Sequence, residues 1–302
     1  MSASVALPFR VGARTLWHVR RRLVRVPLAL REAQAGEVPA LPPLEAGADG
    51  YLVTSLPASA LAPLLARNPA LRGFVRQRYR RSFASLEGTY EAYLAGFSAK
   101  SRSTLKRKAR KLAERCGGAL DVRCYRTPDE MAQFHRLARA VSAKSYQERL
   151  LGCGLPEGPE AEARMAALAA ADKARGWLLF VEGEPASYLY APAEGETLIY
   201  AFLGYDPEHA ALSPGTVLQL EAMRQLFEER RFAAFDFTEG EGQHKRLFAT
   251  GSVECLDLLL LRPTFANLLA GHGLAAFDHA VEAAKAGVRL LGLESLARRV
   301  RR

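Results

Sequence analysis

Five groups able to move protons or hold charge crowd the stretch from Asp236 to Lys245: Asp236, Glu239, Glu241, His244 and Lys245. Histidine is the side chain whose ordinary pKa lies nearest neutral pH, so His244 suits a general base. Asp236 and Glu239 are further candidates for proton transfer, and the Lys245 ammonium suits stabilisation of a developing oxyanion. The alternative for each is a solvated loop charge. Upstream, Ser213-Pro214-Gly215-Thr216 opens a helical pattern in Val217, Leu220, Met223 and Phe227. Free N–H groups and the positive dipole end make a helix start a seat for an anion. Ser213, Gly215 and Thr216 are therefore the candidate cofactor-binding residues. Plain capping by Ser213, with Pro214 at the first position, explains the same residues.

The elements that position these groups are legible. Leu198 to Leu203 is apolar and β-branched or aromatic, a strand signal, and Gly204-Tyr205-Asp206-Pro207 reads as its turn. Ala233 to Phe237 is a second short strand, running into a polar loop from Thr238 to Lys245. Upstream, strands are expected at 51–56, 72–83 and 121–125, and a hairpin at 177–191. Short helices are expected at 58–66 and from 89, and an Ala-rich helix over 157–175. Ser98 caps a helix whose stripe is Leu105, Ala109, Leu112 and Cys116, stopped by Gly117-Gly118. Thr127-Pro128-Asp129-Glu130 is a capping-box start for a helix lined by Met131, Phe134, Ala138 and Val141. Leu256 to Leu261 is a buried strand, and apolar residues from Phe277 to Leu291 fit a packing helix. Residues 10–31 carry Leu16, Val19, Leu23, Val26 and Leu30 at helical spacing with arginines opposite, which predicts a basic amphipathic helix, either packed or lying on an anionic membrane surface.

Composition narrows the class. The chain has 302 residues and a net charge of +10. Residues 1–116 hold 21 Lys and Arg against 7 Asp and Glu, so the first third carries the basic character and attracts phosphates or an anionic surface. Cys116, Cys124, Cys153 and Cys255 form no CxxC pair, which predicts a reduced, cytoplasmic setting. The six histidines show no HxH or HExxH spacing, so no metal is expected, and no GxSxG elbow offers a covalent nucleophile.

The order of features resembles the acyl-CoA-binding half of the GNAT acyltransferases. It is most similar to the FemAB-like branch and its cellulose-biosynthesis acetyltransferase relatives. Three matches carry the resemblance over roughly residues 50–262. They are Gly204-Tyr205-Asp206 with Ser213-Pro214-Gly215 before a helix, Asp236-Phe237 with a Gly-rich loop ending in His244-Lys245, and Ser98-Ala99-Lys100-Ser101-Arg102 leading into a basic helix. The family's phosphate loop has two or more glycines, whereas here only Gly215 remains. That keeps an acyl carrier protein open as donor beside acyl-CoA.

The resemblance implies an α/β fold with a GNAT-type mixed, mostly antiparallel sheet flanked by helices, built from two similar halves. The expected segments are a basic arm and linker (1–49), a first half (50–150), a catalytic half (151–262) and C-terminal helices (263–302). It implies an N-acyltransferase acting on a primary amine of a lipid, an envelope sugar or a small metabolite, at the inner membrane surface if the basic ends bind there. His244, Lys245, Asp236 and Glu239 are the expected catalytic residues. Lys100, Arg102, Lys144, Tyr146, Tyr200 and Tyr205 are the expected substrate-binding ones. Two alternatives stay open: an aminoacyl transferase using tRNA gripped by helix 99–115, and a non-catalytic nucleic-acid or membrane-binding protein.

Overall fold

The computed structural model describes residues 2–11, 14–145, 154–240 and 242–290. In chain order the strands are β1 (Ala3–Val11), β2 (Arg14–Pro27), β3 (Gly50–Pro57), β4 (Arg72–Ser85), β5 (Asp121–Tyr125), β6 (Ala174–Val181), β7 (Glu184–Glu194), β8 (Thr197–Ile199), β9 (Phe202–Tyr205), β10 (Ala234–Asp236) and β11 (Gly251–Leu261). The helices are α1 (Leu30–Ala35), α2 (Leu61–Arg67), α3 (Tyr90–Ala95), α4 (Ala99–Arg115), α5 (Pro128–Lys144), α6 (Pro159–Ala170), α7 (Pro214–Glu229), α8 (Gln243–Phe248) and α9 (Phe265–Leu290). The sheet is mixed and mostly antiparallel, with β2–β3 and β8–β10 as its parallel pairs among the described residues.

Two compact units emerge, one from residues 1–80 and 253–302, the other from residues 81–252. The chain enters the second unit along β4 and leaves it along β11. That division runs through the expected segments 50–150 and 151–262 rather than between them.

The second unit orders its strands β4-β10-β8-β7-β6-β5, with β9 also on β7. All eight residues of β6 are buried, because both faces are covered. Trp177, Leu179 and Val181 join one core with Leu105 and Leu112 of α4 and Val217, Leu218 and Met223 of α7. Leu178 and Phe180 face the other core, with Met131, Phe134 and Ala138 of α5 and Met165 of α6. The period-2 alternation of one strand thus feeds two helical layers. The expected caps form: Ser98 accepts from the Ser101 N–H, and the capping box of Thr127 and Glu130 is closed both ways.

The first unit orders β1-β2-β3-β11 with β4 next. Val53, Leu56, Leu64 and Leu256 build one core, and Val5, Leu7, Leu23, Phe74 and Leu274 another. Here the sequence expectation is corrected. Residues 10–31 are not an amphipathic helix: β1 and β2 form an antiparallel hairpin, and β2 pairs in parallel with β3. Leu16, Val19, Leu23 and Val26 do recur at helical spacing, but cross-strand pairing gives Val5, Leu7 and Leu23 partners that a lone helical stripe would not, and tertiary context overrides the period. Pro27, awkward within a helix, sits at the end of the strand.

Candidate active site

The site is built where two parallel strands part. β8 and β10 pair over three residues, Thr197–Ile199 against Ala234–Asp236. Tyr200 N–H still donates to Asp236 O at 2.8 Å. Beyond it, the partners separate. Ala201 N–H donates to Tyr190 O, and Phe202–Tyr205 pairs with β7. On the other side, Phe237 N–H donates to Ser82 O of β4. The expected single strand 198–203 is therefore two strands, broken at Tyr200-Ala201 because the backbone changes partner there. Asp206 N–H donates to Ala186 O, which fixes the alternation along β9. Phe202 and Gly204 bond toward β7, and the backbone groups of Leu203 and Tyr205 point to the opposite side, the side from which β10 has departed.

At the root of this wedge lies Asp236, fully buried. Arg81 Nε and Nη2 reach its Oδ2 at 3.0 and 2.6 Å, and Thr238 N–H donates to its Oδ1 at 2.8 Å. Arg81 is itself buried. A buried ion pair survives only when its remaining hydrogen-bonding capacity is met, and here the carboxylate is closely engaged. That fits an anchor for the turn at Thr238, whose φ is +60°, better than a free base. Arg81 is a residue that sequence reasoning missed. The available signal was Asp236 itself, a carboxylate inside an apolar strand that requires a cation.

Lys245 belongs to α8, so the expected polar loop 238–245 is corrected: it ends in a helical turn that includes His244 and Lys245. Lys245 Nζ donates to Glu239 O. Burial pushes its pKa below the ordinary lysine value, while the charges of Asp236 and Glu239 pull it up. Glu239 is exposed. The side chain of His244 lies outside what the structure describes, and Tyr146 and Glu241 lie outside the described residues. Tyr200 packs its ring near Phe235 and Phe237, and burial pushes its phenol pKa well up.

The far end of β9 carries a second pair. Asp206, almost buried, takes a 2.8 Å bond from the Lys144 ammonium at the end of α5 and one from Glu208 N–H at 3.1 Å. Burial alone would raise the Asp206 carboxyl, but these bonds outweigh it and hold its pKa low. Hydrogen bonding to Asp206 in turn raises that of Lys144. The sequence places Asp206 in a turn and in one of the motifs that carry the resemblance, with no sign of an ion pair; its pairing with Lys144 joins two distant segments. Tyr205 beside it is partly exposed.

α7 begins here. Ser213 stands in the left-handed region at φ +55° with no side-chain cap bond, so plain capping by its hydroxyl does not account for it. Its carbonyl takes the N–H groups of Thr216 and Val217. Gly215 is required by packing: a Cβ would lie 3.0 Å from Leu203 Cδ2 and 3.6 Å from Tyr205 Cδ1. The glycine thus lets the helix start lie against β9. On α4, Arg102 donates to the carbonyls of Ala95 and Phe97, closing the end of α3, while Lys100 is exposed. The outer face of α4 lines an open groove of about 530 Å³ with Arg102, Lys106, Arg107 and Arg110. Among the described residues, no group of three or more His, Cys, Asp or Glu is arranged to hold a metal.

Residues 99–246 match the family model described as an acetyltransferase (GNAT) domain. This segment is a GNAT acyltransferase domain. It contains the wedge, the start of α7 and the Asp236–Lys245 loop. Among solved structures, FemX aligns with a TM-score of 0.53 at 12% identity, covering 74% of each chain. The C-terminal domain of a protein described as a lysylphosphatidylglycerol synthetase from Agrobacterium fabrum aligns with a TM-score of 0.51 at 12% identity, covering 74% of this chain and 71% of that one. At these identities the likeness is one of fold. No curated protein sequence matches significantly. The GNAT domain identifies the protein as an acyltransferase with an open, mostly antiparallel sheet flanked by helices.

Proposed function

We propose that this GNAT domain moves an acyl group from a thioester donor, acyl-CoA or an acyl carrier protein, to a primary amine. The observation that carries the reading is the wedge between β9 and β10. An unpaired strand edge is a template for an extended chain that offers its own amide groups. The thioester arm would lie along the backbone groups of Leu203 and Tyr205, with its phosphate end toward Ser213, Gly215 and Thr216 and its carbonyl toward the Asp236–Lys245 loop.

At that carbonyl the incoming amine must lose a proton and the tetrahedral oxyanion must be stabilised. His244 is the proposed base. Lys245 supplies a partly desolvated ammonium aimed by Glu239 O, with Arg81 and Asp236 fixing the strand end from which the loop departs. The Lys144–Asp206 pair, Tyr200 and Tyr205 flank the acceptor side. The acceptor classes in view are lipid amines, envelope amino sugars and small metabolites.

The test is thiol release from acyl-CoA in the presence of a panel of amines. Lys245→Met should lower kcat by 10²–10³ with the fold intact by circular dichroism, the loss expected when one oxyanion-stabilising group is removed. Turnover unaffected by this change would remove Lys245 from the mechanism.

A second reading rests on α4. Its groove carries Arg102, Lys106, Arg107 and Arg110, and a polyphosphate backbone fits such a row of cations. The FemAB-like resemblance would make that ligand an aminoacyl-tRNA. Its mark is binding that weakens steeply with salt.

A further inference from the structure

One face of the β1–β2 hairpin changes character along its length. Register places Val5 opposite Arg21, Leu7 opposite Val19 and Phe9 opposite Trp17, on one face by the period of two; past Phe9 the register shifts, and Val11 lies opposite Arg14 at the outer end. Near the base the face is covered, with Val5 and Leu7 only 4% and 2% exposed. Phe9 meets Phe277 of α9 edge-on at 5.2 Å. Further out the cover ends. Trp17 stacks one side of its ring on Phe9 at 5.6 Å yet is 65% exposed, and Val11 is 47% exposed. Leu16 adds an aliphatic group that is 57% exposed.

These three are half of the six large exposed apolar side chains among the described residues. On the other face of the hairpin, by the same alternation, Arg10, His18, Arg20 and Arg22 are exposed, and residues 1–31 contain seven arginines and no Asp or Glu.

We propose that the outer end of this hairpin seats on an anionic lipid surface, with Val11, Leu16 and Trp17 entering the headgroup boundary and the arginines engaging the anionic headgroups. Tryptophan favours that boundary because its ring is apolar with one polar N–H, and basic side chains beside it add attraction to anionic lipid. A nucleic acid would use the cations and the free indole face, but it would gain nothing from exposed valine and leucine. This inference stands independently of what the GNAT domain transfers.

The chain supplies its own probe. It has two tryptophans, and Trp177 is fully buried, so a change in emission reports Trp17. The full-length protein is titrated with vesicles of phosphatidylcholine alone and of phosphatidylcholine with phosphatidylglycerol. A blue shift with the anionic vesicles, absent with the neutral ones and reduced by salt, is the expected result. Trp17→Ala combined with Leu16→Ser keeps every arginine and should weaken vesicle partition at least tenfold, with the thermal midpoint and acyl transfer unchanged. Should that variant fold poorly, Arg10→Glu with Arg20→Glu should abolish the preference for anionic vesicles. No shift with anionic vesicles overturns the proposal. So does undiminished partition in the apolar variant, or a Trp17 response only to protein concentration or to added RNA.

Discussion

Three side chains decide how the end of β10 behaves. Arg81 and Asp236 are both buried, so removing one strands the other in a medium that cannot solvate it. Arg81→Met should cost about 3–5 kcal/mol in denaturant unfolding; a loss under 1 kcal/mol would mean that water reaches the pair. Lys245 is different in kind. Its folded pKa lies below the ordinary lysine value, so the folded state disfavours the charged form. Its contribution to stability therefore improves as pH rises from that lowered value toward the unfolded one, and Lys245→Met should flatten this rise in the thermal midpoint. Asp206 has the opposite consequence: its carboxyl is held low, so its stabilising contribution is complete above the unfolded carboxylate value and disappears as pH falls through the folded one. Lys144→Met should reduce that acid-dependent loss, measured as the thermal midpoint below about pH 5. The sequence made Asp236, Lys144 and Lys245 visible one by one. It did not show that Asp236 is closed by Arg81, or that Lys144 is bound to Asp206, because each pairing joins residues distant in the chain.

At the level of elements, the departure of β9 from β10 depends on close approach. A Cβ on Gly204 would stand 2.5 Å from the Tyr188 ring, and one on Gly176 would stand 2.7 Å from Phe134. Gly204→Ala should push β9 off β7, costing about 1–3 kcal/mol and lowering thioester affinity together with stability. Retained affinity would show that the donor does not use this strand. Elements with local signals were legible: α4 from its Ser98 cap and α5 from its capping box, where neighbouring residues carry the instruction. The break between β8 and β9 was not, because it is imposed by Tyr200 bonding to Asp236 and Ala201 to Tyr190, partners that local propensity does not see. The α8 turn was hidden for a related reason: its Gly-rich approach reads as loop. The β1–β2 hairpin shows the converse error, in which an apolar spacing of three and four coincides with a helix although sheet pairing sets the structure.

For the whole molecule, the assignment of the chemistry to the unit formed by residues 81–252 leaves the first unit free for another task, and its arginine-rich hairpin is the feature suited to one. No helix of the described residues is long and apolar enough to cross a membrane. The central claim is that the wedge receives a thioester. The most direct measurement is the thermal midpoint of the purified protein with acetyl-CoA, a long-chain acyl-CoA, an acyl carrier protein and bulk aminoacyl-tRNA, at low and moderate salt. A ligand that binds the folded state raises the midpoint by mass action, by about 2.7 kcal/mol of added stability at a hundredfold excess over Kd. The account predicts a rise with an acyl thioester that persists at moderate salt. A rise with aminoacyl-tRNA alone, lost as salt increases, would contradict it.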